Sequence, residues 1–133
     1  MKGTLHHIEI NVSDLKKSTL FWEWLLSELG YKKFQQWNSG ISFKLKDTYI
    51  VFVQTEKAHL KNNYHRKNIG LNHLAFHADT RKAVDKITLQ LKQKGIKILY
   101  QNKHPFAGGE NHYAVYFEAP DRIKVEIVFE KTQ

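Results

Sequence analysis

The chain has no cysteine among its 133 residues, which removes disulfides, thiolate metal sites and cysteine nucleophiles together. Any chemistry must come from His, Glu, Asp, Tyr, a metal or a cofactor. Long apolar runs are missing as well. The opening "MKGTLHHIEI" carries no apolar h-region, and nowhere do about 18 apolar residues follow one another. No signal peptide or membrane span is expected, and a soluble cytoplasmic protein is the default. What is present is a hydrophobic fraction of 41% with 13% aromatics, enough for a core in one domain, residues 1–133. That excludes a disordered chain.

Charge is unbalanced: 21 Lys and Arg against 13 Asp and Glu give a formal +8, which favours anionic partners by long-range attraction. Nucleic acid and small anionic metabolites both fit. The lysines are scattered through "LKKS", "YKKF", "RKAVDK" and "LKQKGIK" without a tight basic arm. They read as a solvated surface rather than a nucleic-acid footprint.

Residues 5–12 alternate as a strand, with Leu5, Ile8, Ile10 and Val12 apolar and Glu9 and Asn11 polar. "SDLKKSTLFWEWLLSELG" follows as an amphipathic helix. It has a Ser13/Asp14 start, apolar Leu15, Leu20, Phe21, Trp24, Leu25 and Leu29, and a stop at Gly30. Three strands fit "YKKFQQW", "GISFKLK" and "TYIVFVQ", and 55–68 reads as a polar connector. Then the pattern restarts. "IGLNHLAFHAD" is a strand, "TRKAVDKITLQLKQKG" a helix ending at Gly95, "IKILYQ" a strand, "NKHPFAGGEN" a loop, and "HYAVYFEA" and "IKVEIVFE" two strands around "PDR".

Placing His7 on His73 aligns "LHHIEINVSD" with "LNHLAFHADT" at an offset of 66 (73 − 7), and Gly30 then matches Gly95 with a one-residue slip. An internal repeat of this length sets the architecture. The expectation is an α+β fold of two paired β-α-β-β-β modules, residues 4–55 and 69–131, whose curved mixed sheet surrounds a central cleft. A generic α+β domain without internal symmetry is the alternative.

Alternation puts His7, Glu9 and Asn11 on one strand face and Ile8, Ile10 and Val12 on the helix side. Likewise His73, Ala75 and His77 oppose Leu74, Phe76 and Ala78, and Lys124, Glu126 and Val128 oppose Ile123, Val125, Ile127 and Phe129. His7, His73 and Glu126 thus point into the cleft from three strands. Two imidazoles and one carboxylate form a facial set that leaves positions open for water or substrate, a catalytic rather than structural type of metal site. A lone strand histidine is usually solvated or satisfied in a core. Two at repeat-equivalent positions facing a carboxylate point to a metal. His6 has the opposite parity and is expected at the strand edge or in a structural contact.

Three stretches, "LHHIEINVSDLKKSTLFWEWLLSELGY", "GLNHLAFHAD" and "HYAVYFEAPDRIKVEIV", resemble the vicinal oxygen chelate superfamily. That family embraces glyoxalase I, extradiol dioxygenases, methylmalonyl-CoA epimerase, and fosfomycin and bleomycin resistance proteins. The resemblance implies that His7, His73 and Glu126 are the metal ligands. Glyoxalase I takes a fourth ligand from the last strand of its first module, where aligning "DTYIVFV" with "RIKVEIV" puts Val51. Valine cannot bind a metal, and the nearest carbonyl side chain, Gln54, has the opposite parity. A three-ligand site like that of the dioxygenases or fosfomycin-type transferases fits better. In "EAPDRIKVE", Ala119 and Arg122 also replace the Asp and Gly of the family's frequent D-P-D-G.

The resemblance implies a divalent metal, Mn, Fe, Ni or Zn, binding a small anionic substrate through vicinal oxygens and acting as a Lewis acid. Lyase, isomerase, transferase and dioxygenase chemistry stay open. His77 and Glu9 are candidate catalytic bases or orienting groups. Trp37, Tyr49, Tyr113 and Tyr116 are candidate wall or core residues, and the paired glycines of "FAGGENH" suit either a mobile lid or an ordinary turn. The alternative function is a metal-free binding protein that sequesters a small molecule. A homodimer is expected, as is common in that family, with the site within one chain or shared between two.

Overall fold

The computed structural model describes residues 2–131. Its elements are β1 (His7–Val12), α1 (Leu15–Glu28), β2 (Lys32–Trp37), β3 (Gly40–Leu45) and β4 (Thr48–Gln54). After these come β5 (Leu74–His77), α2 (Arg81–Gln93), β6 (Ile98–Leu99), β7 (His112–Glu118) and β8 (Lys124–Glu130). The order β-α-β-β-β occurs twice, as the repeat predicts. The chain divides into two compact units, the first ending at Asn63 and the second starting at Tyr64.

Each unit holds a four-stranded sheet, ordered β1-β4-β3-β2 in the first and β5-β8-β7-β6 in the second. In both, the opening strand runs parallel to the closing strand and the remaining pairs are antiparallel. This is an α+β, glyoxalase-like arrangement of two mixed sheets with two helices. The register carries the repeat to single residues. Glu9 stands opposite Val51, and Ala75 opposite Glu126. Val51 is therefore the first-unit counterpart of Glu126, and His7 that of His73.

The helix ends repeat too. Asp14 Oδ1 accepts from Lys17 N at 3.1 Å, and Thr80 Oγ1 accepts from Ala83 N at 3.0 Å, each satisfying an orphan donor of the first turn. Gly30 (φ 92) and Gly95 (φ 70) take left-handed backbone just past each helix. Gly30 N donates to Ser27 O and Tyr31 N to Leu26 O, while Gly95 N donates to Lys92 O and Ile96 N to Leu91 O. Both are Schellman ends, in which only glycine lacks the Cβ penalty.

α1 buries Ser18, Phe21, Trp22, Leu25 and Leu26. Trp22 stacks on Phe52 of β4 with ring centroids 4.9 Å apart. This stripe is rotated from the one expected from sequence, since Leu20 is 70% exposed and Trp22 fully buried. α2 buries Val84, Ile87, Thr88 and Leu91 and packs on β7 and β8. Each such apolar side chain contributes about 1.5–3 kcal/mol by leaving water. On the other sheet face of the second unit, Ala107 packs on Leu99, Ala114, Tyr116 and Val128.

Three boundaries differ from the sequence reading. β5 begins at Leu74, so His73 precedes the ladder. β6 is only Ile98–Leu99, because Tyr100 turns the chain with φ 56 and its carbonyl accepts from Lys103 and His104. The polar connector contains a 3-10 turn at Lys57–His59.

Candidate functional site

Glu126 is the starting point, a carboxylate only 4% exposed in the middle of β8. A carboxylate that far from water needs charged or hydrogen-bonding partners. His73 Nε2 lies 3.2 Å from its Oε1. The other ring nitrogen, Nδ1, is 2.7 Å from Asn72 Oδ1. An amide oxygen only accepts, so Nδ1 carries a proton, and Nε2 is the nitrogen turned toward the carboxylate. With Nδ1 held by a hydrogen bond, Nε2 is the ring nitrogen through which such an imidazole would ligate a divalent metal beside a carboxylate.

The second oxygen, Glu126 Oε2, is engaged by His112 Nε2. His112 opens β7, and its Nδ1 is 3.4 Å from Glu130 Oε1. Tyr116 stands opposite Glu126 in the β7–β8 ladder. Burial, reinforced by the nearby Glu126 carboxylate, pushes its phenol up to about 12. It therefore stays a hydrogen-bond donor at neutral pH. Lys124, on the Glu126 face, donates to Tyr100 OH at 2.8 Å and lies 5.2 Å from the Tyr116 ring centroid. The loop 100–111 reaches this face through Gly108. A Cβ there would run into the His112 ring and come within 2.7 Å of the Tyr116 hydroxyl.

His77 shares the parity of His73 and is exposed; among the described residues it makes no hydrogen bond to Glu126. His7 and Glu9 belong to the first unit and are both exposed. The His7 ring stacks on Tyr49 at 4.8 Å with planes 4° apart, and its Nδ1 is 2.8 Å from His6 Nδ1. His6 is thus in a structural contact: its carbonyl accepts from Tyr49 N at 3.2 Å while its ring orients His7.

Gln54 is committed elsewhere, its Oε1 accepting from Leu15 N and its Nε2 donating to Ser13 O, both at 2.9 Å. It fastens the start of α1. Tyr113, expected as wall or core, is on the opposite face of β7 from Tyr116. It donates to Asp85 of α2 at 2.5 Å, under the Arg81 guanidinium, because neighbouring strand residues point to opposite sides. Trp37 lies across Gly40 and helps line a surface groove of 410 Å³ beside Leu15 and Leu20.

The structure thus brings His73 and Glu126 together and adds His112, which sequence reasoning did not single out. Among the described residues no group of three or more His, Asp or Glu side chains is disposed to hold a metal ion. The donors present at His73 and Glu126, imidazole nitrogen and carboxylate oxygen, suit Mn, Fe, Ni or Zn. Among the described residues no helix is long and apolar enough to cross a membrane.

The profile of the Glyoxalase/Bleomycin resistance protein/Dioxygenase superfamily matches residues 4–127. A solved structure from Bacillus halodurans, described as a candidate glyoxalase, is 58% identical, covers 96% of each chain and superposes with a TM-score of 0.95. The glutathione transferase FosA of Serratia marcescens is 28% identical over 127 residues, 96% of this chain and 81% of that protein. A variant of the fosfomycin resistance protein FosX of Listeria monocytogenes, solved with Mn(II) and a dihydroxypropylphosphonic acid, shares the fold. Its TM-score is 0.68 at 22% identity, over 96% of this chain and 90% of that one.

Proposed function

Because the chain belongs to the Glyoxalase/Bleomycin resistance protein/Dioxygenase superfamily, we propose that it is a divalent-metal-dependent enzyme acting on a small anionic, oxygen-bearing substrate. The metal, Mn, Fe, Ni or Zn, is held by His7, His73 and Glu126. When bound it supplies Lewis acidity to adjacent substrate oxygens. The observation that carries this reading is the buried Glu126 carboxylate facing Nε2 of a His73 whose Nδ1 is fixed by Asn72.

The chain's own groups take the remaining roles. Asn72 sets the His73 tautomer, and His6 orients His7. The Tyr116 phenol donates a hydrogen bond to substrate without losing its proton. Lys124 and the overall +8 charge draw in an anion. His77 and Glu9 are the candidates to move a proton. The Mn(II) and dihydroxypropylphosphonic acid held by the FosX variant support the choice of metal and of an anionic substrate. A cytoplasmic homodimer, with His7 coming from the same chain or its partner, completes the proposal; β1, β2, β5 and β6 are the sheet edges available for pairing.

A second reading, metal-free binding of a small molecule, is favoured by one observation: His73 Nε2 and His112 Nε2 stand against the two Glu126 oxygens, so donors from two imidazoles can satisfy the buried carboxylate themselves. Metal analysis of protein purified without chelator separates the two. The enzyme reading expects about one divalent ion per chain. It also expects turnover of a carboxylate, phosphonate or phosphate ester with Mn(II), Fe(II), Ni(II) or Zn(II). Ligand binding with neither metal nor turnover establishes the second reading instead.

A further inference from the structure

We propose that His112 is the positioning residue of the metal-binding carboxylate, holding Glu126 by Oε2 so that Oε1 stays aimed at His73 and is the single oxygen offered to the metal. The inference rests on the metal reading of His73 and Glu126 above and adds a residue that the reading does not contain.

The approach of His112 to Glu126 does not follow from strand pairing. In the β7–β8 ladder His112 stands opposite Glu130, whereas the residue opposite Glu126 is Tyr116. The imidazole therefore reaches along the sheet to the carboxylate, and its surroundings hold it there. His112 N donates to Gly109 O at 3.2 Å. The backbone of Gly108 packs so closely on the ring that no Cβ fits. Glu130 Oε1 stands 3.4 Å from Nδ1 on the far side. A carboxylate oxygen can only accept, so Nε2 is the donor to Oε2.

Loss of that donor would leave Oε2 as a buried acceptor without its partner and free the carboxylate to turn about its last torsion. Hydrogen-bond partners of ligating groups change metal affinity about 10–100-fold.

The test is Mn(II) titration of the full chain, with free ion counted by its electron paramagnetic resonance signal, together with melting of each metal-free variant. Wild type, H112A, H112Q and E126Q are compared. H112A should weaken Mn(II) binding about 10–100-fold. H112Q, whose amide N–H can donate to Oε2, should return to within about threefold of wild type, and E126Q should lose binding. Wild-type affinity in H112A overturns the proposal alone. So does an H112Q defect as large as that of H112A, since a ligand and not a donor would then have been removed. Wild-type affinity in E126Q overturns the metal reading itself, and this proposal with it.

Discussion

Replacing Gln54 with Ala separates a structural amide from a metal ligand. Its Oε1 takes the backbone N–H of Leu15 and its Nε2 donates to Ser13 O, both at 2.9 Å. The first bond is part-buried and the second exposed. A typical hydrogen bond contributes about 0.5–1.5 kcal/mol net, with the exposed one at the low end. Together they amount to about 2 kcal/mol. The Asp14 cap survives the change, so α1 should still form. For a chain of this size the loss lowers the melting midpoint by about 6 °C. Circular dichroism melting reads that shift, and Mn(II) titration of the same folded variant should show wild-type affinity. An unchanged midpoint would refute the hydrogen-bond reasoning. Loss of Mn(II) from a folded Gln54→Ala protein would instead make Gln54 the fourth ligand.

Three further outcomes are expected. Burial alone would raise the pKa of Glu118, but hydrogen bonds from Arg122 and Arg66 outweigh it and hold the carboxyl below its ordinary 4.5. The stability it contributes is present above that unfolded value and lost as pH falls through the folded one. Glu118→Gln should therefore be less stable than wild type at neutral pH, with the gap in urea midpoint narrowing below pH 4.5; a gap that widens contradicts the sign. Tyr116, raised to about 12, should be the tyrosine whose absorbance step near that pH disappears in Tyr116→Phe; loss of a step near pH 10, the ordinary value, argues against its burial. His6→Ala should weaken Mn(II) by no more than about tenfold by releasing the His7 ring, while His7→Ala abolishes binding. Equal losses would give His6 the ligand role.

Much of the fold was legible because local signals and long-range repeat agreed. "LHHIEINVSD" and "LNHLAFHADT" alternate in the same phase, and both become opening strands parallel to their closing strands. Gly30 and Gly95 mark helix ends because the Schellman turn needs left-handed backbone. Parity and the repeat put His73 and Glu126 on the side away from the helices, and the parallel β5–β8 pairing brings Nε2 of the one to 3.2 Å from Oε1 of the other. What was not legible depends on tertiary detail. His112 contacts Glu126 four register positions from its pairing partner, a diagonal reach that parity cannot reveal. Tyr113 and Tyr116 look alike as aromatics, yet three residues of separation put them on opposite faces, one hydrogen-bonded to Asp85 and one beside Glu126. In α1 an apolar stripe containing Leu20 competed with the one containing Trp22. The larger ring won the core by stacking on Phe52.

The central claim is that His7, His73 and Glu126 are the protein ligands of one divalent ion, and Mn(II) binding to the chelator-free protein and its single variants tests it most directly. Wild type should bind about one Mn(II) per chain. His7→Ala, His73→Ala and Glu126→Ala should each abolish that binding while melting as folded proteins. Mn(II) bound with wild-type affinity after removal of any one of the three, or a wild-type chain that takes up no divalent ion at all, would contradict the account.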